Sequence, residues 1–192
     1  MLLPLGAALL GVGFLFSLSR GGAVGESSAR EDMAESTKIS SSGTGIAGVL
    51  LAAVGWLYTW GGAAGLTTWA AAVALAGRGV GVVDCSLFAS LALVKMGIRK
   101  TFKRYTAMSL ANACDPIAWG DQQPGDVAIY PGHVMIVLTG PDGKGDSRVI
   151  GASGGGSSTH GDNPNARVKT FDSARYRKDF VCFGRLKTSE RK

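Results

Sequence analysis

Apolar runs separated by glycine-rich turns dominate the first half of the chain. Residues 46–57 (IAGVLLAAVGWL) and 67–76 (TTWAAAVALA) have the composition of helices, and Thr67 or Thr68 is suited to start the second one. The first run is too short to cross a bilayer, which needs about 20 residues. We therefore predict two core helices of a folded domain rather than a membrane hairpin.

A third helical pattern follows Asp84, a residue type that caps helix N-termini well. Residues 85–96 carry apolar side chains at helical spacing, which predicts an amphipathic helix. Gly97 is typical of a helix end. A further short helix is expected within residues 104–113.

The second half alternates short apolar segments with turn residues, which is typical of β-strands. Pro124-Gly125 and Pro131-Gly132 mark two of the turns. The predicted strands cover residues 127–130, 133–138, 148–153, 166–171 and 180–186. Helices followed by strands predict an α+β domain, with N-terminal helices packed on a small antiparallel sheet.

The N-terminal part of the chain differs from the rest. Residues 2–18 (LLPLGAALLGVGFLFSL) are apolar and uncharged, so we predict an uncleaved membrane anchor or signal segment at 1–18, with a buried helix as the alternative. Residues 19–45 are small, polar and charged, which indicates a flexible linker. Residues 46–187 form the predicted domain, and 188–192 a basic tail.

The formal net charge is +6, and most of the basic residues fall in two clusters. The excess favours an anionic surface such as a cell envelope, although two solvated faces explain it equally simply. No aromatic interleaving or nucleic-acid motif accompanies the charges, so no nucleic-acid partner is expected. The clusters are Lys95, Arg99, Lys100, Lys103 and Arg104, and the segment 175–192.

The chain has three cysteines, so at least one thiol is free. None belongs to a C-x-x-C pair, and we predict no metal and no cofactor. Cys114 and Cys182 are either small core residues or a disulfide pair in an oxidising compartment. Nothing in the sequence indicates an oligomeric state.

Cys85 lies directly behind the predicted cap, in the first turn of its helix. Helix N-terminal N–H groups favour a thiolate, which makes Cys85 a candidate nucleophile. His133 begins a strand after a Pro-Gly turn, where its imidazole can face a helix N-terminus and act as general base. The other histidine, His160, lies in a polar loop and is expected to be exposed.

Four motifs stand in order along the chain: Tyr58-Thr59-Trp60-Gly61-Gly62, Asp84-Cys85-Ser86, Pro124-Gly125-Asp126-Val127 and His133-Val134. They resemble the Y-x-W-G-G, D-C-S-G, G-D-(apolar) and H-V-G motifs of the NlpC/P60 family. The resemblance covers residues 46 to about 153. It implies a papain-like α+β fold and a peptidase or amidase that acts on peptidoglycan stem peptides.

The resemblance also implies roles for individual residues. Cys85 would be the nucleophile and His133 the base, while Tyr58, Asp84 and Ser86 would shape the substrate site. For Trp60 we expect the role of a core aromatic residue. Residues 46–187 would then be the catalytic domain.

Three positions depart from the family's pattern. Leu87 replaces the glycine of D-C-S-G, and Met135 replaces the glycine of H-V-G. Gly151 stands where a third polar residue usually orients the catalytic histidine. Ser153 has the same strand parity and is one candidate for that role. Other candidates are a water, a backbone carbonyl, or the loop residues His160, Asp162 and Asn163.

These observations favour a cysteine hydrolase of peptidoglycan, located in the cell envelope, periplasmic or extracellular, or in a phage virion. The partner would be a stem peptide, and residues 1–18 would provide a membrane contact. Three alternatives remain: a thiol amidase or acyltransferase acting on lipids, a degenerate wall-binding or virion structural protein, and a small membrane-lytic protein.

Overall fold

The structure of the protein is a computed structural model that describes residues 45–192. The predicted anchor or signal at 1–18, and all but the last residue of the predicted linker at 19–45, lie outside the described residues. Within residues 45–192 the α-helices are α1 (Ile46–Leu51), α2 (Trp69–Ala76), α3 (Cys85–Lys95) and α4 (Ala107–Asn112). Two short 3-10 helices span Ala174–Tyr176 and Thr188–Glu190.

Six strands form one antiparallel sheet, in the spatial order β1-β6-β2-β3-β4-β5. The fold is thus the predicted combination of helices with an antiparallel sheet. Sequence analysis missed β1, which contains Pro116 and pairs with β6 at one edge of the sheet, a place where strands tolerate proline. The strands are β1 (Cys114–Ile117), β2 (Val127–Tyr130), β3 (His133–Val137), β4 (Val149–Ser153), β5 (Arg167–Phe171) and β6 (Cys182–Leu186).

The helix predicted over residues 46–57 is wrong in its second half. The N–H groups of Gly55 and Tyr58 donate to the carbonyls of Val168 and Ala166. The chain beyond α1 therefore continues as an extended segment beside β5, because these cross-chain hydrogen bonds replace helical ones. This segment brings Tyr58 toward the start of α3.

Helix α3 is the central helix, and its predicted amphipathic character is wrong. Every residue from Cys85 to Leu93 is buried, since one face packs on β3 and β4 while α2 and α4 cover the others. The rings of Trp56, Trp69 and Phe88 form a connected aromatic cluster on the α2 side. Helix α3 is thus enclosed by the sheet on one side and by other helices on the others.

The two basic clusters meet at the C-terminus of the chain. Glu190 pairs with Lys103 at 2.7 Å and with Arg99 at 3.4 Å, and its carboxylate also accepts from the Tyr105 hydroxyl. The backbone N–H of Lys100 donates to the carbonyl of Arg191. Part of the basic charge is therefore used to hold the chain end against the domain.

The Cys114–Cys182 disulfide is absent, and all three cysteines are free thiols. Cys114 pairs in register with Leu186, four residues along β6 from Cys182. Four residues of a strand span about 13 Å, whereas a disulfide needs Cα atoms within about 7 Å.

Residues 67–76 were predicted to form a core helix. The helix is confirmed by α2, with Thr68 as the N-cap that accepts from the N–H of Ala71. Its place in the core is wrong, because Ala72 is the one buried residue of α2 and Val73 is 49% exposed. Within residues 45–192 no helix combines the length and the apolar character needed to cross a membrane.

Candidate active site

Cys85 occupies the first position of α3, as its sequence context predicts. The Asp84 carboxylate caps the helix by accepting from the N–H of Leu87 at 2.6 Å and from the Ser86 hydroxyl at 2.9 Å. This side-chain cap orients the first turn of α3. The Cys85 thiol is left 9% exposed.

Burial and nearby backbone N–H groups act in opposite directions on the Cys85 thiol. Burial raises the pKa of the Cys85 thiol. Hydrogen bonds from the backbone N–H groups of Val134, Ser86 and Cys85 itself act in the opposite direction, while the Asp84 charge adds to the rise. The expectation that the helix N-terminus favours a thiolate is therefore wrong for the free protein, because burial outweighs the N–H groups. At neutral pH the resting form is the thiol.

His133 is the first residue of β3, the strand on which α3 packs. The side chain is 9% exposed and packs against the ring of Tyr130, with centroids 5.6 Å apart. Burial and, to a smaller extent, Arg177 lower the pKa of His133 to about 4, and Asp179 acts in the opposite direction. The imidazole is therefore neutral at pH 7 and available as a base.

Tyr58 is buried near Cys85 and Asp84. Burial is the main reason that its pKa rises to about 12, and the charges of Cys85 and Asp84 contribute further. The ring lies against Gly155, where an added Cβ would come within 2.2 Å of Tyr58 Cδ1. The Gly/Ser-rich loop after β4 is thus shaped to admit the tyrosine.

Arg104 is a site residue that sequence analysis did not single out. One guanidinium nitrogen, Nη2, donates to Asp84 at 2.8 Å and to the carbonyl of Gly61 at 2.9 Å. It ties the Tyr58–Gly62 motif to the capped end of α3. Its place in a basic cluster was the only signal in the sequence. Both carboxylate oxygens of Asp84 are consequently engaged within the protein.

Gly151 faces Met135 across the sheet. An added Cβ at Gly151 would lie 3.1 Å from Met135 Cε, so the methionine fills the space beside the position that usually orients the histidine. Leu87 and Gly62 show the same complementarity, since a Cβ at Gly62 would lie 2.3 Å from Leu87 Cδ2. Leu87 and Met135 both replace a glycine of the motifs that the sequence resembles, and each larger side chain packs against another glycine, Gly62 and Gly151 respectively.

Tyr176 takes a position that no sequence signal indicated. Its hydroxyl lies 3.4 Å from Nε2 of His133. Burial raises the pKa of Tyr176, and a hydrogen bond with the Ser153 side chain is the main opposing effect. Ser153, the predicted candidate for third residue, thus interacts with the Tyr176 hydroxyl.

Two predictions near the site have opposite outcomes. Trp60 was expected in the core, but it is 53% exposed. Its backbone N–H donates to the carbonyl of Thr159, and its ring lies at the surface. His160 is exposed as predicted, and its N–H bonds to Asp162. Among residues 45–192, no cluster of three or more histidine, cysteine or acidic side chains is suited to hold a metal ion.

The structure is a mixed helix and antiparallel-sheet domain in which Cys85 begins α3 and His133 begins β3, and both residues are buried. No protein-family model matches the chain, and no curated protein matches it significantly. Solved structures do match, and proteins of the family that the motifs resemble are among them.

One similar structure is an NLP/P60 family protein, described as similar to lipoprotein, from Staphylococcus aureus subsp. aureus Mu50, at 20% identity and a TM-score of 0.48. The match covers 73% of this chain and only 40% of that protein. A second is the peptidoglycan hydrolase RipB from Mycobacterium tuberculosis, at 20% identity and a TM-score of 0.48, covering 86% and 72% of the two chains. A third is the P60 domain of an antigen from M. avium subspecies paratuberculosis, at 19% identity and a TM-score of 0.45, covering 82% and 95%.

Proposed function

We propose that this protein is a cysteine hydrolase of the NlpC/P60 type that cleaves amide bonds in peptidoglycan stem peptides. The observation that carries the proposal is the approach of β3 to the start of α3. Helix α3, which begins at Cys85, packs on β3, which begins at His133. The four ordered motifs supply the substrate class.

The proposed reaction begins from a neutral thiol and a neutral imidazole. His133 accepts the thiol proton as the Cys85 sulfur attacks the carbonyl carbon of the scissile amide. The imidazolium then donates that proton to the departing amine, and the C–N bond breaks to leave a thioester. Water, deprotonated by His133, hydrolyses the thioester and regenerates the thiol.

Tyr58, Asp84 and Ser86 remain the proposed substrate-binding residues. Their positions around Cys85 support this role, and the phenol of Tyr58 stays protonated at neutral pH as a hydrogen-bond donor. Asp84 contributes its negative charge rather than a free oxygen, because Leu87, Ser86 and Arg104 already donate to it. An amine of the substrate would be attracted by that charge.

The domain organisation belongs to the same proposal. Residues 46–187 would form the catalytic domain, with 188–192 as a basic tail. Residues 1–18 would anchor or direct the chain, and 19–45 would link that segment to the domain. The location would be the cell envelope or a virion, where peptidoglycan is the partner.

Digestion of purified peptidoglycan by the full chain, with product analysis by mass spectrometry, tests the proposal. We expect release of stem-peptide fragments by the wild type and none by Cys85→Ala or His133→Ala. Cys182→Ala and His160→Ala are matched controls, since each removes the same residue type outside the site, and both should keep wild-type turnover.

Cleavage that survives in Cys85→Ala would contradict the proposal. So would a wild type that binds peptidoglycan without turnover, which fits a wall-binding protein instead. Hydrolysis of acyl-lipids but not of muropeptides would point to the lipid-directed enzyme.

A further inference from the structure

Both oxygens of the Asp84 carboxylate are occupied within the protein. Oδ1 accepts from the N–H of Leu87 at 2.6 Å and from the Ser86 hydroxyl at 2.9 Å. Oδ2 accepts from Nη2 of Arg104 at 2.8 Å. Among residues 45–192, Arg104 is the one cation that forms a salt bridge with Asp84. The negative charge that Asp84 presents to a substrate is therefore offset by a guanidinium in direct contact with it.

Arg104 is anchored on both sides of this ion pair. The same Nη2 donates to the carbonyl of Gly61 at 2.9 Å, so one nitrogen bridges the Tyr58–Gly62 motif and the cap of α3. The next residue, Tyr105, is buried, and its backbone N–H donates to the Ser90 hydroxyl on α3. These bonds fix the backbone that carries Arg104, and hydrogen bonds between charged groups are the stronger ones.

The ion pair lies at the edge of the candidate site. The Asp84 side chain is 11% exposed and that of Arg104 is 37% exposed. Asp84 directly precedes Cys85 and caps the helix that Cys85 begins. A substrate group that approaches the cysteine therefore meets a carboxylate and a guanidinium together. The attraction of the carboxylate for a positive charge is largely cancelled by the guanidinium.

We propose that Arg104 is a specificity-determining residue, which by pairing with Asp84 removes the preference of the site for a substrate with a charged amine. A peptide with a free amino end carries that charge at neutral pH. A stem peptide still joined to its glycan strand has the same nitrogen in an amide and carries no charge there. The site then accepts acylated stem peptides as readily as free ones. For turnover this inference rests on the proposed function, whereas for binding it does not.

Two peptides of one stem sequence, with a free or an acetylated amino end, test the proposal on the full chain at pH 7. The two kcat/KM values should agree within about threefold in the wild type. In Arg104→Gln, which keeps hydrogen-bond donors but removes the charge, the free amine should be favoured by about tenfold, because an uncompensated carboxylate attracts it. Added salt should reduce that preference.

The ratio of the two kcat/KM values separates this role from a structural one. Loss of folded protein or loosening of the site lowers both values and leaves their ratio unchanged. Arg104→Lys keeps the positive charge and should keep the wild-type ratio. Lys103→Gln is the matched control, because it removes a neighbouring charge that pairs with Glu190 at 2.7 Å and not with Asp84, and it should also keep the ratio.

Binding of the same peptides to Cys85→Ala, with and without Arg104→Gln, gives the comparison without turnover. Dissociation constants that agree in Cys85→Ala and diverge by about tenfold with Arg104→Gln support the proposal. If the wild type then cleaves neither peptide, only the proposed function is removed.

Three results would overturn the role of Arg104. They are a wild type that already prefers the free amine by about tenfold, a ratio in Arg104→Gln equal to that of the wild type, and binding of neither peptide. The wild-type ratio decides the proposal by itself, so a poorly folding Arg104→Gln does not block the test.

Discussion

Met135 on β3 occupies the space that a side chain at Gly151 on β4 would need. A Cβ built on the glycine would lie 3.1 Å from Met135 Cε, 3.2 Å from Cγ and 3.4 Å from Cβ. The NlpC/P60 motifs that the sequence resembles have glycine at the position of Met135 and usually a polar side chain at the position of Gly151. This chain has the reverse arrangement, and the two sizes remain complementary.

The first prediction tests this complementarity. Gly151→His should lower the free energy of unfolding by about 2 kcal/mol, because the added side chain overpacks against Met135. In the Met135→Ala background the same substitution should cost clearly less. Urea unfolding of the four proteins gives the coupling energy, and additive effects would contradict direct packing between the two positions.

The second prediction concerns the glycine pair that ends the Tyr58–Gly62 motif. Gly61 and Gly62 both have positive φ, 75° and 66°, but only an added Cβ at Gly62 meets a neighbour, Leu87 Cδ2 at 2.3 Å. Gly61→Ala should cost about 1 kcal/mol of stability from backbone strain alone. Gly62→Ala should cost at least about 1 kcal/mol more, from overpacking.

Thermal or urea unfolding of these two alanine variants provides the comparison. Because backbone strain is common to both, the difference between them reports the contact with Leu87. Equal destabilisation of the two variants would show that Leu87 moves aside freely.

The third prediction is a pH dependence of stability. His133 has a pKa of about 4 in the folded protein and about 6.5 when unfolded, so the unfolded state binds a proton first as the pH falls. As the pH falls from 6.5 to 4, protonation of His133 in the unfolded state therefore lowers the free energy of unfolding, by about 3 kcal/mol in total. Above pH 6.5 the neutral His133 causes no such loss.

His133→Gln should remove this part of the pH dependence, whereas His160→Gln should retain it. Carboxyl groups titrate in the same range, so the informative quantity is the difference between wild type and variant at each pH. A wild type and His133→Gln with parallel stability curves would contradict the lowered pKa of His133.

The fourth prediction concerns the reactivity of Cys85. Since burial raises the pKa of its thiol, the rate of alkylation by iodoacetamide should keep increasing with pH beyond 9 and show no plateau near pH 7. Peptide mapping after brief labelling of the native protein measures the rate at Cys85 separately. A rate that is already constant at neutral pH would indicate a preformed thiolate.

Local signals predicted the elements that surround the site. Asp84 before an apolar helical pattern placed the start of α3, and the Pro-Gly turns placed the start of β3 at His133. Both depend on side chain to backbone chemistry within a few residues, which is readable without the fold. The helix predicted over residues 46–57 failed in its second half because hydrogen bonds to Ala166 and Val168, more than a hundred residues away, override a helical composition.

The sequence alone determined which residue types the site contains: a cysteine behind a helix cap, a histidine opening a strand, and a glycine where a polar side chain was expected. Only the tertiary structure decided their state. Burial keeps both Cys85 and His133 neutral at pH 7, and this cannot be read from a helix N-terminus. The approach of Tyr176 to His133 likewise depends on how β5 and the following turn fold back over the sheet, a long-range arrangement that no local motif encodes.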